Sequence, residues 1–198
     1  MKLVLASQSA ARRAMLDAAG VPHEAVLARV DEDAAKAALA AQGRSARDTA
    51  DALAELKALK ASASDPAALV LGCDSVVELE DGTILDKPAD RADAARHLRR
   101  LSGTRHMLHS AAVIAEGGRP VWRVVDTAKL HVHVLSDAFL DAYLEAEWPA
   151  IGGCVGCYRF EGRGAQLFTR VEGSHFSVLG MPLLPLLGYL RTRGVLVA

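Results

Sequence analysis

A run of small polar residues ending in two arginines, Ser7-Gln-Ser9-Ala-Ala-Arg12-Arg13, stands between a short apolar segment, Leu3–Ala6, and an alanine-rich helical one. At such a strand-to-helix junction, unpaired backbone N–H groups and the positive end of the helix dipole make a ready anion site. Two arginines in a first helical turn oppose that dipole, and a nearby anion resolves the conflict; the plainer alternative is that Ser9 is an N-cap and the arginines are solvated. Asp74 marks the place where the apolar run from Ala67 turns polar, the carboxyl end of a buried strand at which α/β proteins place catalytic or metal-binding groups. Glu32, in Asp31-Glu32-Asp33, offers a second carboxylate unless that cluster is a solvated acidic loop. A hard cation such as Mg²⁺ takes carboxylate oxygens together with substrate phosphate oxygens, so two carboxylates beside an anion site are the set it needs. Lys87, backed by Pro88, is a fixed positive charge suited to phosphate; Lys57 and Lys60 lie together on a helix, where one of them must face solvent.

Other motifs carry less. Cys154-Val-Gly-Cys157 has the C-x-x-C spacing, but it lacks a second pair for zinc and does not open a helix as the redox motif does, so both read as small buried cysteines. His131 and His133 share one strand face without a third ligand at readable distance. Gly162-Arg163-Gly164 is a permissive turn. There is no Walker loop, G-x-G-x-x-G fingerprint or nucleophile elbow.

The elements that must position these residues follow from periodicity and caps. Leu3–Ala6 reads as a buried strand and Ala10–Ala19 as a helix stopped by Gly20. Val21–Val30 reads as a second strand, and Ser45 caps a helix to Ser62. A third strand comes from the run Ala67–Val77. Asp81-Gly82 turns Val76–Glu80 into a short hairpin with Thr83–Leu85. Asp90 caps Arg91–Leu101, and Ser136 caps a helix to Glu147. His106–Ala115 and Val121–Leu135, joined by Gly117-Gly118, form the clearest hairpin. Strands are expected near Cys157–Phe160 and Ala165–Val171, and a last helix from Pro182 to Gly194. Helices alternate with strands, yet the hairpins need antiparallel pairs, so the fold class is α/β with a mixed sheet.

Composition narrows the class further. The chain has 198 residues, 23 basic against 24 acidic side chains and a formal net charge of −1, with 51% hydrophobic residues. That excludes a disordered chain and argues against general nucleic-acid binding, which needs an excess of Lys and Arg. No stretch approaches the ~20 apolar residues of a membrane span, and the apolar run Leu3–Ala6 is shorter than a signal-peptide core. The expected location is the cytoplasm, with no membrane partner.

In order along the chain, Leu5-Ala-Ser-Gln-Ser9 with Arg12 and Arg13, Val30-Asp-Glu32, Leu53-Ala-Glu-Leu-Lys57-Ala, Gly72-Cys-Asp74-Ser-Val-Val77, Lys87-Pro88, Leu98-Arg-Arg-Leu-Ser-Gly103 with His106, Gly156-Cys-Tyr158, Glu161-Gly-Arg-Gly164 and Val178-Leu-Gly-Met-Pro182-Leu resemble the Maf family nearly end to end. The resemblance implies a nucleoside triphosphate pyrophosphatase, a single domain over 1–198 with an elongated mixed sheet and two lobes around a central cleft, and a homodimer. It implies a divalent metal, Mg²⁺ or Mn²⁺, held by Glu32 and Asp74, with Asp74 catalytic. Substrate binding would fall to Ser7, Ser9, Arg12, Arg13, Lys57 and Lys87.

Three branch-sorting positions hold Ala11, Ser75 and Glu161. They match neither the Arg/Thr/Gln of the dTTP- and UTP-preferring branch nor the Trp/Gln/Glu of the 7-methyl-GTP branch. Glu161 agrees with the second branch and suits the N1–H and amine of guanine, so a purine or modified nucleotide is the expected substrate. The alternative is a non-catalytic nucleotide-binding regulator of cell division.

Overall fold

In the computed structural model, which describes residues 1–197, one seven-stranded mixed sheet is flanked by helices. In chain order the strands are β1 Leu3–Leu5, β2 Glu24–Ala25, β3 Leu69–Leu79, β4 Ile84–Leu85, β5 Arg105–Glu116, β6 Arg119–Val132 and β7 Phe168–Glu172. The helices are α1 Ala10–Ala18, α2 Glu32–Ala41, α3 Ala46–Ser62, α4 Arg91–Leu101, α5 Asp137–Glu147, α6 His175–Val178 and α7 Leu183–Thr192. The sheet order is β2-β1-β3-β5-β6-β7, with β4 also on β3. β1 lies parallel to β2 and β3, whereas β3, β5, β6 and β7 pair antiparallel. Among the described residues, no helix is long and apolar enough to cross a membrane.

Local chemistry accounts for most of these elements. Ser9, Ser45, Asp90 and Ser136 each accept a hydrogen bond from the backbone N–H three residues on, satisfying one orphan donor of the helix each begins. Gly117 and Gly118 have positive φ, as the tight turn of the β5–β6 hairpin requires. Two apolar clusters fill the two ends of the sheet. One gathers β1 and the start of β3 with α1 and α7 around Leu5, Leu16, Leu71 and Leu186; the other gathers the far ends of β3, β5 and β6 with α4 and α5 around Leu98, Leu130 and Leu140.

Helix α3 packs separately through Ala46, Ala50, Ala54 and Ala58, against Val76, Ala111, Val113 and Ala115. This all-small interface brings backbone onto backbone. A Cβ on Gly72 would lie 2.1 Å from the Ala54 carbonyl oxygen and 2.6 Å from the Ala58 nitrogen.

Several expectations need correction. The Val21–Val30 strand shrinks to Glu24–Ala25, because only those residues find a partner, on the edge of β1. Asp31-Glu32-Asp33 is not a loop: Asp31 caps α2, and Glu32 and Asp33 sit in its first turn, where carboxylates suit the dipole. No strand forms at Cys157–Phe160. There the chain turns, with the Cys157 N–H on the Cys154 carbonyl at 3.2 Å and Cys157 itself at φ +60°. Residues Arg163–Leu167 make a 3₁₀ turn, so the last strand begins only at Phe168. Asp74 does not end its strand, because β5 pairs with β3 all the way from Val70 to Leu79.

The close approach at Gly72 generates a first prediction. Gly72→Ala forces α3 off the sheet and should lower stability by about 3 kcal/mol, at the upper end of ordinary overpacking costs. Denaturant unfolding checks this; a variant as stable as the native chain would mean that α3 has room to move.

Candidate active site

The site forms where one edge of β3 loses its neighbour. On that edge β1 pairs with Leu69–Leu71 and β4 with Val77–Glu78, leaving the stretch 72–76 without a strand. β1 stops because its chain leaves the sheet: the Ala6 N–H still bonds the Leu71 carbonyl at 2.8 Å, and Ser7 then begins the turn into α1. Asp74 and Ser75 stand in this gap. Strand alternation sends their side chains to opposite faces, Asp74 with Gly72 toward α3 and Ser75 toward the opposite side.

Because α3 lies so close at Gly72, Lys57 reaches Asp74. Its Nζ is 2.5 Å from Asp74 Oδ1 and 2.8 Å from Glu32 Oε1, and both Lys57 and Asp74 are only 10% exposed at their side chains. Glu32 Oε2 faces Lys87 at 3.4 Å, and one helical turn along α2 Lys36 bonds Asp86 at 2.5 Å. Burial by itself would raise the Glu32 carboxyl, but the hydrogen bond and charge of Lys57, with the charge of Lys87, outweigh it and hold the group at about 2. Two carboxylates therefore converge on one cation. That donor set fits a hard divalent ion completed by water and phosphate oxygens, while no group of three or more His, Cys, Asp or Glu among the described residues is placed to hold a metal without a substrate.

Arg12 closes the opposite wall. Its Nε donates to the Gly180 carbonyl at 2.8 Å, Nη1 to the Cys73 carbonyl at 3.0 Å and to Ser7 Oγ at 3.3 Å, and Nη2 to Ser75 Oγ at 3.1 Å. The guanidinium thus takes the place of the missing strand at Cys73. Gly180, at φ +98°, lets the chain pass within van der Waals contact of it. Ser9 caps α1, and Ala10 and Ala11, whose N–H groups have no partner within the helix, line the cleft.

A cleft of about 570 Å³ joins these groups, and the catalytic, metal-side, substrate-binding and branch-sorting residues that the resemblance implies all line it except Arg13. Arg13 is exposed one residue along α1, where the helical rotation carries it away from the cleft lining. Ser75 lines the cleft, but its hydroxyl is engaged by Arg12 and Ser110. Lys57 is the buried member of the Lys57/Lys60 pair.

The third wall runs from Ala150 to Glu161, and it includes Arg159, which sequence reasoning missed. Arg159 bonds the buried Glu147 through Nε at 3.2 Å and Nη2 at 2.8 Å. An Arg two positions before Glu161 was the only signal, and nothing local distinguishes it from a solvated side chain. Of the two cysteines expected to be buried, Cys157 is, whereas Cys154 is half-buried and lines the cleft; burial pushes the Cys157 thiol up to about 12 and raises Cys154 as well, so neither is a thiolate.

A cationic and helix-terminal cradle facing paired carboxylates has the charge arrangement to receive a polyanion. The family profile of Maf, described as Maf-like protein, matches residues 2–193, and the chain belongs to that family. It is 53% identical to nucleoside triphosphate pyrophosphatase 1 of Jannaschia sp. (strain CCS1) over 194 residues, 98% of each chain. Nucleoside triphosphate pyrophosphatases of Sphingopyxis alaskensis and Caulobacter vibrioides are each 50% identical, over 98% of this chain and 98% and 96% of theirs.

The charge cluster makes a second prediction. In metal-free protein the Glu32 carboxyl carbon should titrate near 2, and in Lys57→Met the midpoint should rise toward the ordinary carboxylate value of 4.5, since burial then acts with less opposition. The sign for stability follows: a depressed carboxylate stabilises fully above pH 4.5, and the contribution disappears as pH falls toward 2. NMR titration of both proteins reads the shift; an unchanged midpoint would remove Lys57 as its cause.

Proposed function

We propose that this chain is a metal-dependent nucleoside triphosphate pyrophosphatase, releasing pyrophosphate and leaving the nucleoside monophosphate. The observation that carries the reading is the Glu32–Lys57–Asp74 cluster facing the N-terminus of α1 and Arg12 across one cleft. The names of relatives about half identical over nearly the whole chain support it.

A triphosphate brings roughly four negative charges. Arg12, Lys57 and Lys87 line its cleft, and the N–H groups at the start of α1 receive phosphate oxygens, so charge passing to the leaving pyrophosphate is met by fixed donors. Asp74 orients the attacking water and accepts its proton as the oxygen bonds the α-phosphorus and the bond to the bridging oxygen breaks. Lys57 holds Asp74 in the orientation for that role. Glu32 and Asp74 would hold Mg²⁺ or Mn²⁺, which supplies Lewis-acid polarisation of phosphate oxygens when bound. Ser7 and Ser9 shape the phosphate loop: Ser7 Oγ accepts from the Ser9 N–H at 3.2 Å. On the family resemblance, the same reading carries a homodimer in the cytoplasm and one domain over the whole chain.

Asp74→Asn should lower pyrophosphate release from nucleoside triphosphates by about 10²–10⁴-fold while nucleotide still binds, as expected for losing a general base. A coupled pyrophosphate assay with Mg²⁺ or Mn²⁺ and each common and modified triphosphate is the test. Binding without turnover in the native protein would favour the regulator instead.

For the base, we propose a purine or modified-nucleotide leaning, supported by Glu161 on the third wall of the cleft. A carboxylate accepts from the N1–H and amine of guanine, a pairing no pyrimidine offers in that arrangement. Ala11 provides no aromatic face for a cationic methylated base. Glu161→Ala should reduce the ratio of kcat/KM for GTP over UTP by about tenfold, the effect of one to two lost hydrogen bonds; a ratio that stays constant removes Glu161 from base selection.

A further inference from the structure

Four of the five N–H groups on Arg12 are committed inside the protein, so a phosphate ligand has one left, on Nη2. Besides the bonds that Nε and Nη1 make to Gly180, Cys73 and Ser7, the Nη2 end is held by a row of hydroxyls running away from the cleft. Ser75 Oγ, which accepts from Nη2, lies 2.9 Å from Ser110 Oγ, its register partner across β3 and β5. Ser110 Oγ lies 2.7 Å from the Ser177 carbonyl oxygen. A carbonyl only accepts, so the single proton of Ser110 goes to Ser177, and the bond between the two hydroxyls must be donated by Ser75. The proton of Ser75 is then committed as well. The chain of donors runs one way, from guanidinium to Ser75, to Ser110, to the backbone of α6. Its far end is anchored, because Ser177 Oγ donates to Asp126 Oδ2 on β6 at 2.5 Å.

Ser110 and Ser177 are wholly buried, and neither lines the cleft. Their hydroxyls serve no part of the reaction derived above, and an alanine would fill the Ser110 position in a sheet otherwise built of alanine and valine there. We infer that Ser110 is a positioning residue for phosphate binding: through Ser75 it locks Arg12 so that the remaining Nη2 N–H is presented to the ligand. Donor rows of this kind reinforce each other in a low-dielectric interior, and losing the middle member frees Ser75 to rotate and release Nη2. This rests on the phosphate-binding role of Arg12 proposed above. It also gives Ser75 a part in phosphate binding: its hydroxyl, held between Arg12 and Ser110, helps to set the arginine.

The test is inorganic pyrophosphate binding by calorimetry, together with steady-state kinetics on a nucleoside triphosphate. Ser110→Ala should weaken pyrophosphate binding and raise KM by about five- to tenfold, the effect of one hydrogen bond to a charged network, with kcat changed less than twofold. In an Arg12→Lys background the same substitution should add less than a twofold change, because the group it positions is gone. Ser110→Cys keeps the volume while weakening the donor, and should give the same pattern if Ser110→Ala folds poorly. A variant with a lower melting temperature but native Kd and KM, or equal effects in both arginine backgrounds, would overturn the inference. So would a native protein that binds no pyrophosphate. Pyrophosphate binding without turnover of any nucleotide would sink the catalytic reading alone, and the comparison of Kd values would still decide the role of Ser110.

Discussion

An ammonium group wedged between two carboxylates is an expensive thing to bury, and the rest of this molecule is arranged around keeping Lys57 there. Removing a charge from water costs several kcal/mol, and the cost is recovered only where partners are close and well oriented. Lys57 has Asp74 and Glu32 within hydrogen-bond distance on two sides, and Lys87 balances the second carboxylate from its outer edge. The cluster is internally compensated yet sensitive. On the proposed reading, a polyanion with a divalent cation enters it by exchanging partners, since every group in it already has a neighbour of opposite charge. A hydrophobic replacement of the same shape would hold the fold as well or better, so stability alone does not explain the cluster.

Its geometry depends on how few atoms lie between α3 and β3. An interface of alanines on the helix against Gly72, alanines and two valines on the sheet sacrifices apolar burial, which larger side chains would supply, for a short distance between backbones. That short distance is what allows a lysine in the middle of a helix to reach a carboxylate two residues beyond the glycine. The helix also bridges the gap from its own side: α2 has no buried residue and is tied at its N-terminus by Glu32 and Lys36, so the second carboxylate arrives on the least buried helix beside the site. Where chain must adjust to ligands of different size, an element held by ion pairs moves at lower cost than one held by packing.

How much of this could be read beforehand depends on the range of the forces involved. Ser9, Ser45, Asp90 and Ser136 were legible because a cap is a three-residue event, and the Gly117-Gly118 hairpin because its turn chemistry is local. The acidic run at residues 31–33 was misread because a helix without an apolar stripe has no periodic signature, although Asp31 with Ala34 is a sound cap. The short strands at β2 and β7 were overextended because their length is set by what lies across from them. Arg12 and Arg13 are the sharpest case. The conflict with the helix dipole was visible, but which of the two faces the cleft follows from the rotation of α1 against β3. Arg159 could not be found, since its side-chain partner, Glu147, is twelve residues away on another element.

The break in the sheet ties these observations into one argument. A continuous parallel partner along β3 would satisfy the Cys73 carbonyl with a backbone N–H, and no charged group would be needed there. Because β1 ends early, an arginine from the following helix supplies the bond, and the helix must begin close to the strand for it to reach. The same early ending turns the N–H groups of α1 toward the space the strand vacated. One structural defect thus produces the N-terminal N–H cradle, the placement of Arg12 and the position of Asp74 on the cleft wall together. The local rules it violates, a cation in a first helical turn and an aspartate in mid-strand, are departures of the kind that sequences keep where chemistry requires them.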